Sequence, residues 1–282
     1  MLLRLLIIAL LTVPASVFGQ AQSLNSFFPF AEEYDSTRTI VMLCEEPENL
    51  ERYPSHLMTP FQVWMTNLPL RPKGTPITDW RGEIIEETVL DGVIDFPIKS
   101  QYQTDADILI LLALNFFSLD STIYHFDITL TESDTVNYSK WLERDYEIAS
   151  DGKISFVIRT DPKSDNRSEF QNYLNFVARA FDNESILLNA EVVAHNRVKP
   201  GNLYIQFSDD SLQVVSHVSL VLDVCRNAAK QLSVLVAYGG DPAQSLVVPY
   251  AYGASEAKWF GVDELVEHLK PHGKGFFYRY RN

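Results

Sequence analysis

Three apolar runs rich in valine, isoleucine and leucine crowd the last third of this chain, at residues 203–207, 214–224 and 231–238. Such runs fit a pleated, half-buried surface, and residues 226–230 join the last two as a hairpin. Earlier segments place their apolar residues at helical spacing instead. Residues 168–182 are the clearest case, with Phe170, Tyr173, Leu174, Val177 and Phe181 on one face; residues 136–148 read the same way. Thr59 caps a helix with Pro60 in its first turn that stops at Leu68-Pro69. Residues 83–98 carry a hairpin signal at Asp91-Gly92. Asp105 caps a helix running to Phe117, residues 123–130 read as a strand, and residues 262–269 as a short helix. The aromatic tail, Phe276 to Tyr280, reads as a last strand. Helices first and an antiparallel meander later define an α+β domain, its helices packed on an antiparallel sheet.

The start of the chain has a different character. Arg4 gives a short positive beginning, Leu5 to Val13 is apolar, Pro14 breaks the run, and Gly19 precedes a cut at Gln20. This is the pattern of a secretory signal, and it is too short to span a membrane. The expected organisation is a signal peptide over 1–19, an N-terminal extension over 20–51 and a single α+β domain over 52–282. The expected location is secreted or periplasmic. No cysteine near the cut would take a lipid anchor, and the later apolar stretch at 108–117 is too short for a span. Charge narrows the partners: 23 basic minus 37 acidic residues leaves −14, which argues against a nucleic-acid surface. Cys44 and Cys225 would enter an oxidising compartment, where a disulfide and a pair of buried thiols both remain open. Sequons at Asn137, Asn166 and Asn183 are near chance frequency and carry little weight.

The most pointed spacing is Pro200-Gly201-Asn202-Leu203 followed by Ser216-His217-Val218. A turn and strand, then a strand opening on histidine, resembles the papain-like cell-wall peptidases of the NlpC type. Their histidine is a general base, and their nucleophile is a cysteine at a helix start, where the helix dipole lowers the thiol pKa. A wider resemblance follows the chain order. Phe61 to Pro72, containing Asn67-Leu68-Pro69-Leu70, is similar to a hallmark of the bacterial secreted family called domain of unknown function 4846. Asp105-Ala106-Asp107 falls where that family has Gln-Cys-Ala-Asp. Phe170 to Phe181, Pro200-Gly201-Asn202, Ser216-His217-Val218, Pro242-Ala243-Gln244 and Trp259-Phe260 continue the match. The resemblance covers about residues 52–265 and implies a papain-like core.

Departures from the pattern carry the functional expectation. Asp105 stands where the nucleophilic cysteine would be, and Tyr238 where a third, orienting polar residue would be; only His217 keeps its type. Without a thiolate, acyl-enzyme chemistry has no nucleophile. The resemblance therefore implies a catalytically degenerate domain acting as a binding or interaction module on cell-wall peptide or glycan, its cleft lined by Asp105, His217 and Tyr238. The alternative is an active envelope hydrolase of peptidase or amidase type, using an Asp105/His217 pair. A structural envelope protein is the plainest option. No cofactor is expected, and the metal question stays open. His125, His195, His268 and His272 sit at no metal-ligand spacing, and no phosphate loop, nucleophile-elbow serine or paired-histidine zinc helix is present.

Overall fold

In the computed structural model, residues 27–31, 34–86, 92–208, 212, 214–249 and 259–281 are described. The segment expected as a signal peptide and Asp91 of the hairpin signal lie outside them. Helix α1 (Ile40–Leu43) and strand β1 (Glu51–Arg52) come first. Helix α2 (Pro60–Thr66) starts as its sequence dictates: Gln62 N–H donates to Thr59 Oγ1 at 3.3 Å, and Thr59 N–H donates to Gln62 Oε1 at 2.9 Å. Strands β2 (Ile77–Thr78) and β3 (Ile84–Glu86) pair beyond it. Helix α3 (Asp105–Phe117) is apolar on nearly every side and runs through the core.

Two expectations fail in the next stretch. Residues 123–130 do not form one strand. Asp120 Oδ1 accepts Thr122 N–H at 2.7 Å and starts a 3-10 turn, Ser121–His125, which leaves only β4 (Ile128–Thr129) to pair with β5 (Thr135–Val136). The helix expected over 136–148 ends early, as α4 (Tyr138–Glu143). From Arg144 the burial alternates, and β6 (Arg144–Ile148) pairs with β7 (Ile154–Ile158); a two-residue period and a waiting partner strand override the helical spacing.

Helices α5 (Arg167–Ala180) and α6 (Asn183–Leu188) lead into β8 (Ala190–Val192). Then come β9 (Leu203–Phe207), β10 (Val215–Arg226), β11 (Leu232–Ala237) and β12 (Trp259–Gly261). Helix α7 (Val262–His268) and β13 (Lys274–Tyr280) finish the chain. One sheet takes the order β12-β11-β10-β9-β13-β8, with β1 added against the end of β10. Its pairings are antiparallel throughout, so the chain is an α+β protein.

Alternation along the strands splits the core in two. Leu203, Ile205, Val218, Leu220 and Leu222 pack with α3 and α5. Tyr204, Val221, Val234, Val236 and Phe277 face Phe260, Leu265 and Leu269 around α7. The segment expected as an extension joins the larger core: Phe28, Ile40 and Cys44 are buried there. Indole N–H groups hold it in place, Trp64 Nε1 donating to Phe27 O and Trp259 Nε1 to Glu45 O, each at 2.7 Å. Among the described residues, no helix is long and apolar enough to cross a membrane.

Candidate functional site: a buried aspartate–histidine pair

Asp105 is the first residue of α3, not its cap. Thr104 is the cap residue, and its N–H and Oγ1–H both donate to Asp107 Oδ2, at 3.2 and 2.8 Å. That leaves the Asp105 side chain for another partner. Gly239, just past β11, lets α3 come close: a Cβ there would lie 2.9 Å from Ile108 Cδ1 and 3.3 Å from Asp105 Oδ1. Across the gap, β10 bulges between Val215 and His217, and His217 stands opposite Gln206 of β9. The two side chains meet: His217 Nδ1 lies 2.5 Å from Asp105 Oδ2. Both are largely out of solvent, at 5% and 12% side-chain exposure.

Aromatic and imidazole rings close over the pair. His272 stacks on His217 with ring centres 4.3 Å apart, and Tyr238 meets it edge-on at 5.1 Å. The Tyr238 hydroxyl lies 3.2 Å from His268 Nε2, at the end of α7. The 3-10 turn Lys270–His272 that carries His272 is tied down from below. Gln206 Nε2 donates to Leu269 O at 2.7 Å and Gly273 O at 3.0 Å, and Ser216 Oγ donates to His272 O. Burial, reinforced by the charge of His217, holds His268 and His272 below the ordinary imidazole pKa. Several buried polar atoms here have no hydrogen-bond partner among the described residues: Asp105 Oδ1, His217 Nε2, Gln206 Oε1 and Ser219 Oγ.

The three residues singled out from sequence thus come together, and sequence reasoning missed what surrounds them. His268 and His272 sit at no ligand spacing in the sequence, and Gln206 carries no signal at all. The pair Gly239-Gly240 directly after a strand was the available sign of a close approach. His125 lies apart, exposed on its 3-10 turn. Among the described residues, no cluster of three or more His, Cys, Asp or Glu side chains would hold a metal ion. Neither cysteine supplies a nucleophile: both are buried, and burial pushes the Cys225 thiol up to about 12. Chemically, the pair can hold and exchange a proton between carboxylate and imidazole. A separate groove opens at the other end of α3, around Phe116 and Phe117.

An α+β protein whose helix start and sheet meet in a closed Asp–His pair is the class that this geometry defines. The chain belongs to the family described as domain of unknown function (4846), whose model matches residues 41–274. No curated protein and no solved structure matches it.

Proposed function

We propose that this chain is an exported, catalytically degenerate papain-like domain that acts as a cell-envelope binding module on cell-wall peptide or glycan. One observation carries the reading. The residue at the start of the helix is a carboxylate, and its oxygen is already engaged by the histidine at 2.5 Å under a lid of rings. A nucleophile at that position must be free to attack, and a general base must reach its substrate. The pair instead braces α3 against the sheet. Removing one partner leaves the other buried without its counter-group, so Asp105→Ala is expected to cost about 3–5 kcal/mol of stability.

The second reading, an active envelope hydrolase, draws on His217 Nε2, which is buried and without a partner among the described residues. A dyad poised by Asp105 could present that nitrogen to a water or a substrate proton. Incubating the purified protein with peptidoglycan, with and without chelator, separates the two. Co-sedimentation without release of soluble fragments is the expected result; fragment release abolished in His217→Ala establishes the hydrolase and ends the binding-module reading. A second measurement addresses the papain-like relation. In Asp105→Cys, the helix start and His217 are expected to give a thiol reactive well below pH 8, whereas ordinary thiol reactivity counts against a papain-like cleft.

A further inference from the structure

A groove of about 1200 Å³ opens where the start of α2 (Phe61) meets the aromatic end of α3 (Phe116, Phe117), facing the segment between β8 and β9. Its charge is out of keeping with the chain. Arg197, Lys199, Arg226 and Arg279 line it and, among the described residues, no acidic residue does, although the whole sequence has 37 acids against 23 bases. The four cations differ in their commitments. Arg226 is built into the wall, donating to Asn196 O at 2.7 Å and Val198 O at 2.9 Å. The Lys199 ammonium lies 5.1 Å from the centre of the Tyr53 ring. Arg279 pairs with Glu191 at 2.5 Å at the groove margin. Arg197 is exposed and makes no ion pair or hydrogen bond with its side chain among the described residues.

A second feature adds direction. Strand β8 ends the sheet, bonded on one side only, to β13. Val193 N–H donates to Phe277 O and Arg281 N–H to Asn189 O, each at 2.8 Å. Antiparallel alternation then turns the Val192 main chain to the open edge, and Val192 is 66% exposed on the groove wall. An open strand edge is a template for a further strand.

We propose that this groove binds an extended acidic peptide segment of a partner protein, which adds to the edge of β8 and sets its carboxylates against Arg197 and Lys199. The chemistry selects this occupant. A nucleic acid or an anionic membrane would bring a dense negative surface against a chain of net charge −14. The groove also exceeds the roughly 300–1,000 Å³ of compact small-molecule sites. Only a polypeptide can use the main-chain pairing that Val192 offers. The proposal concerns a different surface from the Asp105–His217 pair and stands whether or not that pair is catalytic.

A fluorescein-labelled alternating Glu–Thr peptide, titrated against the full chain by anisotropy, tests it. Saturable binding is expected, weakening as salt is added, with no binding of the Lys–Thr counterpart. Arg197→Glu, an exposed change away from the core, should weaken binding at least tenfold, about 1.4 kcal/mol. Val192→Pro removes an outward N–H at a strand edge that tolerates proline and should weaken it comparably. The proposal is overturned if the Glu–Thr peptide does not bind, if the Lys–Thr peptide binds as well, or if Arg197→Glu binds like the parent. Complete displacement by inorganic phosphate overturns it too, since that marks a simple ion site. The peptidoglycan assay reads a separate event, so failure of one leaves the other standing.

Discussion

Residue by residue, the start of α3 shows how neighbouring carboxylates take on different work. An aspartate at a helix start ordinarily accepts from first-turn amides, and that is what the sequence led us to expect of Asp105. Here Asp107 takes the bonds from Thr104, and Asp105 is given to His217. Asp107 has a cost of its own: burial pushes its carboxyl up to about 8, against the lowering effect of the Thr104 bonds. Because this folded-state value lies above the unfolded one, the stability contributed by the protonated form is full below about pH 4. It is lost as pH rises toward 8. Asp223, raised by burial to about 6, completes its loss earlier. His268 and His272 act in the opposite direction, since lowered values mean stability present above 6.5 and lost as pH falls below it. Of these groups, Asp107 dominates between about pH 7.5 and 8.5, above the range where the two histidines and Asp223 exchange most of their protons. Urea titrations in that window should show stability falling by up to ~1.4 kcal/mol per pH unit, and Asp107→Asn should flatten the slope. An unchanged slope in the variant would mean that Asp107 is already ionised in the fold at neutral pH.

Between elements, the site depends on how closely α3 approaches the end of β11, and Gly239 sets that distance. In Gly239→Ala the new methyl would press on Ile108 Cδ1 at 2.9 Å and on Asp105 Oδ1 at 3.3 Å. Overpacking of this kind costs about 1–3 kcal/mol. The helix start should also shift away from His217, so that its Nδ1 proton resonance broadens by exchange with water. Unchanged stability together with an unchanged resonance would show that α3 is not held at this point. Element legibility follows the same physical line. Helices α2, α5 and α7 and strands β9 to β11 were readable because each has one period and its own start or stop signal. Residues 136–148 were not, because Tyr138 and Trp141 suit a helix while the next five residues alternate for a strand partner that follows later. The site was readable to the extent that a backbone pattern announced it: His217 opens a strand after a turn, and Asp105 opens a helix. The ring stack of His272 on His217 and the Tyr238–His268 contact carry no such pattern. They arise where α7 and the following turn fold over the sheet, and sequence spacing does not register that approach.

For the molecule as a whole, a buried ion contact helps to join the N-terminal segment to the sheet, and the cysteines report on it. The Arg52 guanidinium lies 3.0 Å from the Asp223 carboxylate, whose side chain is wholly buried, as an ion contact without hydrogen-bond alignment. It also donates to Val41 O at 2.9 Å and to Cys44 O, and sits 5.7 Å from the centre of the Trp259 ring. Arg52 pairs with Cys225 in the β1–β10 register, so this one residue bridges the main chain at both cysteines. Cys44 and Cys225 form no disulfide, and both are buried. Burial, with Asp223 nearby, raises the Cys225 thiol, which suppresses the thiolate that a labelling reagent needs. A disulfide reagent should therefore label neither cysteine in the native chain and both in denaturant, without prior reduction. Arg52→Ala removes one partner of a buried pair and should cost about 3–5 kcal/mol. If Arg52 is the latch, native-state labelling of Cys44 and Cys225 should accelerate together in that variant, because one opening uncovers both. Labelling of one cysteine alone would show two separate openings, and no labelling of the unreduced denatured chain would show that the thiols are joined in solution.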